Sequence, residues 1–465
     1  MIALVLTVYL LLMLGIGFWA NKFNKNTTDF LLAGRRLGLG LTVFALVATY
    51  VGGGVVMGYA ESAYTSGLVI WWNGIGSGLG FILLGFMAFK LRNLALYTLP
   101  DFLLKRYESP AIRLLAAAFS LLALIGILGG NVGAASGILE KLGVGSGVEV
   151  AIIACAVFII YTGVGGLWAA TMTDFVQIII ATCGIVGIFV AKLAEHGGWS
   201  AISAKLMEID PSGAMLSLTG TGDISMIMWL ALPIMLYTLI GQDVYQRLFA
   251  TKSPAVARAS CFIAGIIFTA IALIPVLLGL IGRVEFPVID NPARVLPIMV
   301  TETLSPLFAG VVLAAIMAAI MSTAASLLTA SASHVINDIY VGAMHKGDFS
   351  RVSEKRMLVY TRITTVVVGV LAVILSVLVP KILSLMLYSY TLYTSGVFVP
   401  VVGGYIWKKA TRQGALAAMI CGFSIAILSF AGVTFFGIPT DIFSAMVSIF
   451  VFVSASLLTQ PKAEA

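Results

Sequence analysis

The chain has few charged residues, and this shortage excludes a soluble protein. Charged residues make up 10% of its 465 residues, whereas hydrophobic residues make up 60% and mean hydropathy is +1.08. No single soluble core could bury that much apolar surface. Most of the chain must therefore have lipid as its solvent.

Cysteine and histidine are also scarce. The four cysteines all fall within apolar runs, where a disulfide framework would not form, and they are predicted to be packing residues: Cys155, Cys183, Cys261 and Cys421. The histidines, at positions 196, 334 and 345, are too scattered for a metal or catalytic cluster, and His334 is interpreted as a packed residue. This pattern argues against an intramembrane enzyme.

Long apolar runs predict an all-helical, polytopic membrane protein. Runs of about 18 or more residues give thirteen candidate spans: 2–21, 38–63, 69–89, 111–138, 148–167, 173–194, 226–246, 259–282, 306–334, 362–379, 382–407, 414–434 and 442–460. The first run lacks a basic flank and a cleavage site, so it is predicted to be a retained helix. The connections, including 195–225 and 338–361, are interpreted as ordinary loops, and residues 1–465 as one transmembrane domain.

The basic residues are distributed unevenly between alternate loops. Twenty-one of the 27 Lys and Arg residues fall in one set of loops and six in the other. The positive-inside rule then predicts an external N-terminus and a cytoplasmic C-terminus in a plasma or inner membrane. Because topology accounts for the net charge of +7, no nucleic-acid partner is predicted, and no obligate protein partner is evident.

Two spans contain helix breakers at mid-depth. The second holds Gly52, Gly53 and Gly54 in a row, and the seventh has Pro233 and Gly241. A glycine costs about 1 kcal/mol in a helix interior, so discontinuous helices are predicted. The broken spans are five apart, which suggests two inverted five-helix units; two tolerated kinks are the alternative.

Hydroxyl and carboxyl groups within the spans have two interpretations each. Ser322, Ser326 and Thr329 recur at helical spacing, either as sodium ligands or as helix-packing residues. Asp174 is either a cation partner or an acid placed at a helix N-terminus. Gln242 could hydrogen-bond a solute, whereas Asp243 is expected to pair with Arg247 at i,i+4. Amides freed at the triple glycine could bind a carboxylate, with close helix packing as the alternative.

Together these features resemble the sodium/solute symporters, which include the bacterial proline, sialic acid and sugar symporters and the high-affinity choline transporter. The resemblance covers nearly the whole chain. It rests on 28–35 (TDFLLAGR), on the GGLW stretch leading to Thr173, Asp174 and Gln177, on 246–253 (QRLFATKS), and on 319–323 (AIMST).

The resemblance implies a LeuT-like core of two inverted five-helix repeats. They would be 38–194 and 226–407, preceded by an extra helix and loop at 2–36 and followed by two helices at 414–460. It implies a sodium-coupled symporter that imports a small organic solute by alternating access. The alternatives are a proton-coupled or uncoupled carrier of this fold, a quaternary-amine transporter and, less favoured, a solute sensor.

The resemblance also implies the binding residues. Sodium would be held by the carbonyls of Ala48, Val51 and Ala319 and the hydroxyls of Ser322 and Thr323. A second sodium position or an exit path would use Asp174 and Ser326, although Ala325 replaces a serine found in some relatives.

The solute class is left open by the sequence. Local motifs are nearest to the choline-transporter branch, but Tyr50, Gly241 and Met386 occupy positions of its tryptophan cage. An amino acid or short carboxylate is therefore favoured, bound by residues that also have packing roles as alternatives: Tyr50, Gly53, Trp72, Asn73, Asn131, Gln242, Tyr388 and Tyr390.

Overall fold

The computed structural model describes residues 2–20, 32–94, 96–345 and 352–460. These residues are helical, apart from turns and one isolated β-bridge. The helices are α1 Ile2–Ala20, α2 Leu39–Tyr50, α3 Tyr59–Ser66, α4 Trp71–Asn93, α5 Leu99–Tyr107, α6 Pro110–Lys141, α7 Val148–Glu195, α8 Trp199–Ile209, α9 Ile224–Thr238, α10 Gln242–Phe249, α11 Pro254–Glu285, α12 Val295–Thr303, α13 Pro306–Ser333, α14 Glu354–Leu378, α15 Ile382–Ile406, α16 Arg412–Phe430 and α17 Thr440–Leu458.

Each predicted span lies mostly on helical residues within the described part of the chain. Ten stretches within the described part of the chain are long and apolar enough to cross a membrane, and the other predicted spans correspond to α1, α2 and the limb Val148–Ile160. Residues 28–31 of the family motif lie outside the described residues. The all-helical prediction is confirmed.

Helix α7 covers two predicted spans. As a straight rod its 48 residues would extend about 72 Å, twice the depth of a bilayer. Its two ends nevertheless lie at the same side of the molecule. At the start, the Gly147 amide bonds Glu140, which pairs with Arg294; at the end, Lys192 pairs with Glu285. The chain therefore reverses within α7, and its limbs are Val148–Ile160 and Thr171–Glu195.

The second predicted span is broken at the triple glycine, as expected. Helix α2 ends at Tyr50, and Val51 adopts φ −76° and ψ 64° while the Gly52 amide bonds the Tyr50 carbonyl at 2.8 Å. This is an inverse γ-turn, which interrupts the helical hydrogen-bond ladder. A π-helical turn, Gly54–Gly58, then leads into α3. The break therefore removes backbone groups from helical hydrogen bonding at the centre of the bundle, where other groups must bond them.

The seventh predicted span is also broken, at the glycine end. Pro233 lies inside α9 and does not interrupt it; the helix ends at Thr238, and α10 begins after Gly241, which is extended with ψ 127°. The β-bridge joins the two broken elements: Leu37 donates to Ala250 at 3.1 Å and accepts from Lys252 at 2.9 Å. The segment entering α2 is thereby fixed to the segment leaving α10.

Helix α13 is the most enclosed of the spans. In its most apolar stretch of 18 residues, 94% are buried inside the protein, compared with 28% in the most apolar stretches of α14 and α17. Its alanines and hydroxyl residues therefore face protein on all sides. This places the predicted hydroxyl ligands at the centre of the molecule.

Short helices occupy connections that were predicted to be loops. They are α5, α8 and α12, and a π-helix, His334–Met344, extends α13. Helix α5 carries a capping box in which Thr98 and Asp101 satisfy each other's backbone amides. Its Thr-x-x-Asp spacing was a sequence signal for a helix start. All four cysteines are free; Cys155 and Cys261 are buried, but Cys183 is exposed and does not pack in the core.

Candidate functional site

The Thr323 hydroxyl lies between the two helices predicted to bind sodium. Its Oγ1 is 3.0 Å from the Ala48 carbonyl of α2 and 3.2 Å from the Ala319 carbonyl of α13. Three of the five predicted ligand atoms thus cluster around one point beside the break. Hydroxyl and carbonyl oxygens are hard, neutral ligands suited to a small monovalent cation.

Close approach of α2 to α13 depends on Gly52. A Cβ at this position would collide with the Thr323 side chain and would lie 2.9 Å from Asn131 Oδ1. Val51, whose carbonyl is the fourth predicted ligand, forms the γ-turn immediately before it. The glycine therefore allows the broken end of α2 to contact Thr323.

Ser322, the fifth predicted ligand, bonds Asp174 of α7. The hydroxyl of Ser322 donates to Asp174 Oδ1, and this leaves its two lone pairs free to accept a cation. Asp174 is fully buried, and its second oxygen lies 3.4 Å from Arg247 Nη2. The same guanidinium nitrogen donates to Ser326. Arg247 therefore occupies the position between Asp174 and Ser326, where a second sodium ion was considered.

The expected ion pair between Asp243 and Arg247 is absent among the described residues. Arg247 Nη1 donates to the backbone carbonyl of Asp243 at 3.1 Å, while Nη2 extends to Asp174 and Ser326. The long side chain bypasses its i,i+4 neighbour because the fully buried Asp174 and Ser326 offer it acceptors. One turn from Asp174, both polar atoms of the buried Gln177 side chain have no hydrogen-bond partner in the described structure.

A central cavity lies beside the two helix breaks. Its volume is about 20 Å³, which is room for about one water molecule, so the side chains around it are closely packed in this structure. Its lining comes from both broken elements and from α4, α6, α13 and α15: Thr49, Tyr50, Gly52, Gly54, Val55, Tyr59, Asn73, Ser77, Ile127, Asn131, Ile234, Tyr237, Asp243, Thr323, Leu383, Met386 and Tyr390. Thr323 belongs both to this wall and to the oxygen cluster.

Four of the eight predicted solute residues line this cavity: Tyr50, Asn73, Asn131 and Tyr390. A fifth, Gly53, lies between two lining glycines, and its amide donates to Asn131 Oδ1 at 2.9 Å. The Gly52 amide is likewise bonded, to the Tyr50 carbonyl. Both amides are therefore already hydrogen-bonded, so in this structure they are not free to bind the carboxylate of a solute as predicted.

The other three predicted solute residues lie elsewhere. The Trp72 indole donates to the Leu218 carbonyl, in the connection between α8 and α9, at 2.8 Å. Gln242 accepts from the Leu99 amide at 2.9 Å and so anchors α5. Tyr388 is 43% exposed and packs against Trp229. Each side chain points away from the cavity because its helix presents a different face to it.

Among the cavity residues that were not predicted, Tyr237 and Asp243 form a polar pair. Tyr237 donates its hydroxyl to Asp243 Oδ1 at 2.9 Å, and both are buried. Asp243 is the second residue after the Gly241 break, and that position was a usable signal. The i,i+4 spacing to Arg247 led instead to the prediction of an ion pair within one helix.

A buried ionic network joins α5, α6 and the π-helix after α13. Arg113 lies 2.8 Å from Asp101 and 2.9 Å from Asp338, and His334 Nδ1 lies 2.8 Å from the other oxygen of Asp338. Burial raises the pKa of Asp101; Asp338 adds to this shift and Arg113 opposes it. His334 also contacts Ser120 at 2.8 Å, so its polar atoms are satisfied, as expected for a packed histidine.

Comparisons with known proteins place this fold and sequence in one family. The sodium:solute symporter family model matches residues 30–422. The osmoregulated proline transporter of Bacillus subtilis is 30% identical, over 91% of this chain and 87% of its own. The high-affinity choline transporter of Drosophila melanogaster is 28% identical, over 91% of this chain and 70% of its own.

A solved structure supports the fold independently. A sodium-coupled sialic acid symporter, in a substrate-bound outward-open state, superposes with a TM-score of 0.81 over 100% of this chain and 99% of its own, at 20% identity. The LeuT-like fold expected from the sequence is therefore present. The chain belongs to the sodium:solute symporter family, whose multi-pass membrane proteins couple the movement of a small solute to sodium.

Proposed function

We propose that this symporter imports a small amino acid or short carboxylate through the central cavity, with one sodium ion at Ala48, Val51, Ala319, Ser322 and Thr323. The observation that carries the proposal is the position of Thr323. Its hydroxyl contacts carbonyls of both α2 and α13, and its side chain also lines the cavity. Ion and solute would therefore share one wall.

Shared contacts provide a physical route to coupling. Sodium between Ala48 and Thr323 would hold the broken end of α2 against α13, and that end carries Tyr50 and Gly52 into the cavity wall. If sodium and solute both bind best to the same arrangement of these helices, binding of either one raises the affinity of the protein for the other. A membrane potential of 100 mV adds about 2.3 kcal/mol per sodium ion as driving force.

Asp174 is proposed to serve the exit path of sodium, not a second resident ion. The guanidinium of Arg247 already neutralises Asp174 and bonds Ser326. A further cation between them would face the fixed charge of Arg247. The unsatisfied amide of Gln177, one turn away, offers polar atoms to water or to a departing ion.

The proposal also includes two inverted repeats and an orientation in the membrane. Residues 38–194 and 226–407 would be the two inverted repeats, each opening with one of the broken elements, flanked by 2–36 and 414–460. The excess of Lys and Arg in alternate loops supports an external N-terminus and a cytoplasmic C-terminus. Transport would proceed without a covalent step.

Removing both sodium hydroxyls tests the ion site. The double variant Ser322→Ala, Thr323→Ala should need at least about tenfold more sodium for half-maximal uptake in proteoliposomes, or about 1.4 kcal/mol of lost sodium binding. The matched control is Ser331→Ala, since this buried hydroxyl on the same helix only bonds the Leu327 carbonyl. An unchanged sodium requirement in the double variant would remove the site assignment. Wild-type uptake equal in sodium and potassium would instead favour a proton-coupled or uncoupled carrier.

A further inference from the structure

Asp243 places a carboxylate in the wall of the solute cavity. Its side chain is 3% exposed, and Tyr237 donates a hydrogen bond to Oδ1 at 2.9 Å. Gly241 makes room for it, because a Cβ there would lie 2.8 Å from Asp243 Oδ1 and 2.7 Å from the Tyr237 ring. The break before α10 thus presents an acid to the cavity.

No cationic side chain forms an ion pair with this carboxylate within the part of the chain that the structure describes, and the charge of Arg247 acts on it only from a distance. Its neighbour Arg247 pairs with Asp174 instead and touches only the backbone oxygen of Asp243. Amides at the start of α10 bond the carboxylate and offset part of its cost. An ionised carboxylate in a membrane interior nevertheless needs a cation to compensate its desolvation.

Several other polar side chains of the cavity are already hydrogen-bonded. Asn73 donates to the Leu230 carbonyl and accepts from Tyr59; Asn131 donates to the Ile127 carbonyl and accepts from Gly53. The Tyr50 hydroxyl is 2.9 Å from Thr238 Oγ1, whose own proton goes to the Ile234 carbonyl. Asp243 therefore has more free hydrogen-bond acceptor sites than these neighbours. A carboxylate only accepts hydrogen bonds, so it favours a donor group on the solute.

Aromatic rings stand next to this acceptor. Tyr237 and Tyr390 have ring centroids 4.7 Å apart, and both line the cavity together with Tyr50. The faces of tyrosine rings attract cations, with the strongest effect where water is excluded. The lining has no Lys, Arg or His that would bind a carboxylate. Carboxylate and rings together favour a positive group on the solute.

We infer that the transported solute carries a positively charged nitrogen, protonated or quaternary, which binds between Asp243 and the rings of Tyr237 and Tyr390. This inference rests on the proposed function and narrows it, since it excludes a carboxylate that has no amine. A zwitterion and a simple cation both satisfy this inference, and the compounds tested below distinguish them.

Matched pairs of compounds test the charge requirement directly. Proline is compared with tetrahydrofuroate, glycine betaine with tert-butylacetate, and choline with its tert-butyl analogue; each pair keeps the shape and removes the charged nitrogen. Thermal stability of the purified protein is measured with each compound in sodium buffer. At least one nitrogen compound should stabilise the protein, with a Kd at least about tenfold lower than that of its partner. Stabilisation by proline or betaine without choline identifies a zwitterion site, and choline alone a cation site.

The variant Asp243→Asn tests the residue. It should raise the Kd of the stabilising nitrogen compound at least about tenfold, or about 1.4 kcal/mol, while stabilisation by sodium alone persists and verifies folding. Asp441→Asn is the matched control, a buried acid that bonds Thr391 outside the cavity, and it should leave the Kd unchanged.

Three results would overturn the inference: equal binding of a matched pair, an unchanged Kd in Asp243→Asn, or no stabilisation by any nitrogen compound. Each would leave sodium-dependent stabilisation, and with it the proposed ion site, intact. Loss of the difference between sodium and potassium buffers in the wild type would count against the proposed function itself.

Discussion

Replacing Arg247 with methionine is expected to lower the free energy of unfolding by about 3 to 5 kcal/mol, the usual cost of removing one partner of a buried ion pair. Both Arg247 and Asp174 are fully buried, so the variant leaves the carboxylate of Asp174 without its cation. Methionine keeps much of the side-chain volume, so the lost free energy of unfolding comes mainly from the missing charge and only to a small extent from a cavity. Denaturant or thermal unfolding of the purified protein in detergent measures it.

Asp174, the other residue of the ion pair, provides the control for this result. Arg247→Met combined with Asp174→Asn should recover part of the loss, because no uncompensated charge remains. Arg412→Met, at an exposed position, should change stability by no more than about 0.5 kcal/mol. If the Arg247 variant is as stable as the Arg412 variant, the two buried groups do not form the pair described above.

Replacing Gly52 with valine is expected to reduce sodium-dependent uptake about 100-fold, near 3 kcal/mol at the upper end of overpacking costs. A Cβ at Gly52 would already lie 2.8 Å from Thr323 Cβ and 2.9 Å from Asn131 Oδ1. Neither neighbour can yield without losing its hydrogen bond to Ala48 or to Gly53. Uptake into proteoliposomes, normalised to folded protein, is the measurement.

Gly187 is the matched control for this substitution. It is a helical glycine of α7 whose Cβ, if it had one, would meet no other atom within 4 Å, so Gly187→Val adds the same side chain to open space. Its uptake should stay close to that of the wild type. Equal activity of the two variants would show that close approach at Gly52 does not matter for transport.

The sequence predicted the helix breaks because glycine acts on the backbone locally. Three consecutive glycines, and Gly241 in the seventh span, weaken a helix whatever surrounds it, and the structure breaks at both places. Family resemblance then predicted which oxygens of α2 and α13 would lie close together. Ala48, Ala319 and Thr323 do so, within 3.2 Å.

Side-chain partners were harder to predict than backbone breaks. Gln242 and Asp243 are adjacent, so on a helix they point about 100° apart, and only the bundle around α10 decides which one faces the cavity. The i,i+4 rule considers one helix in isolation. It could not show that Arg247 would find acceptors on α7 and α13, leaving Asp243 to the cavity.

The β-bridge has a mechanical consequence for the transport cycle. Leu37 is bonded on both sides to the strand-like segment after α10, and Arg92 also donates twice to the Thr251 carbonyl, at 2.9 and 2.7 Å. These hydrogen bonds connect the segment that enters α2 to the segment that leaves α10. As long as they are kept, the two segments move as one rigid unit, and a rotation that opens the cavity must bend the chain outside this connection.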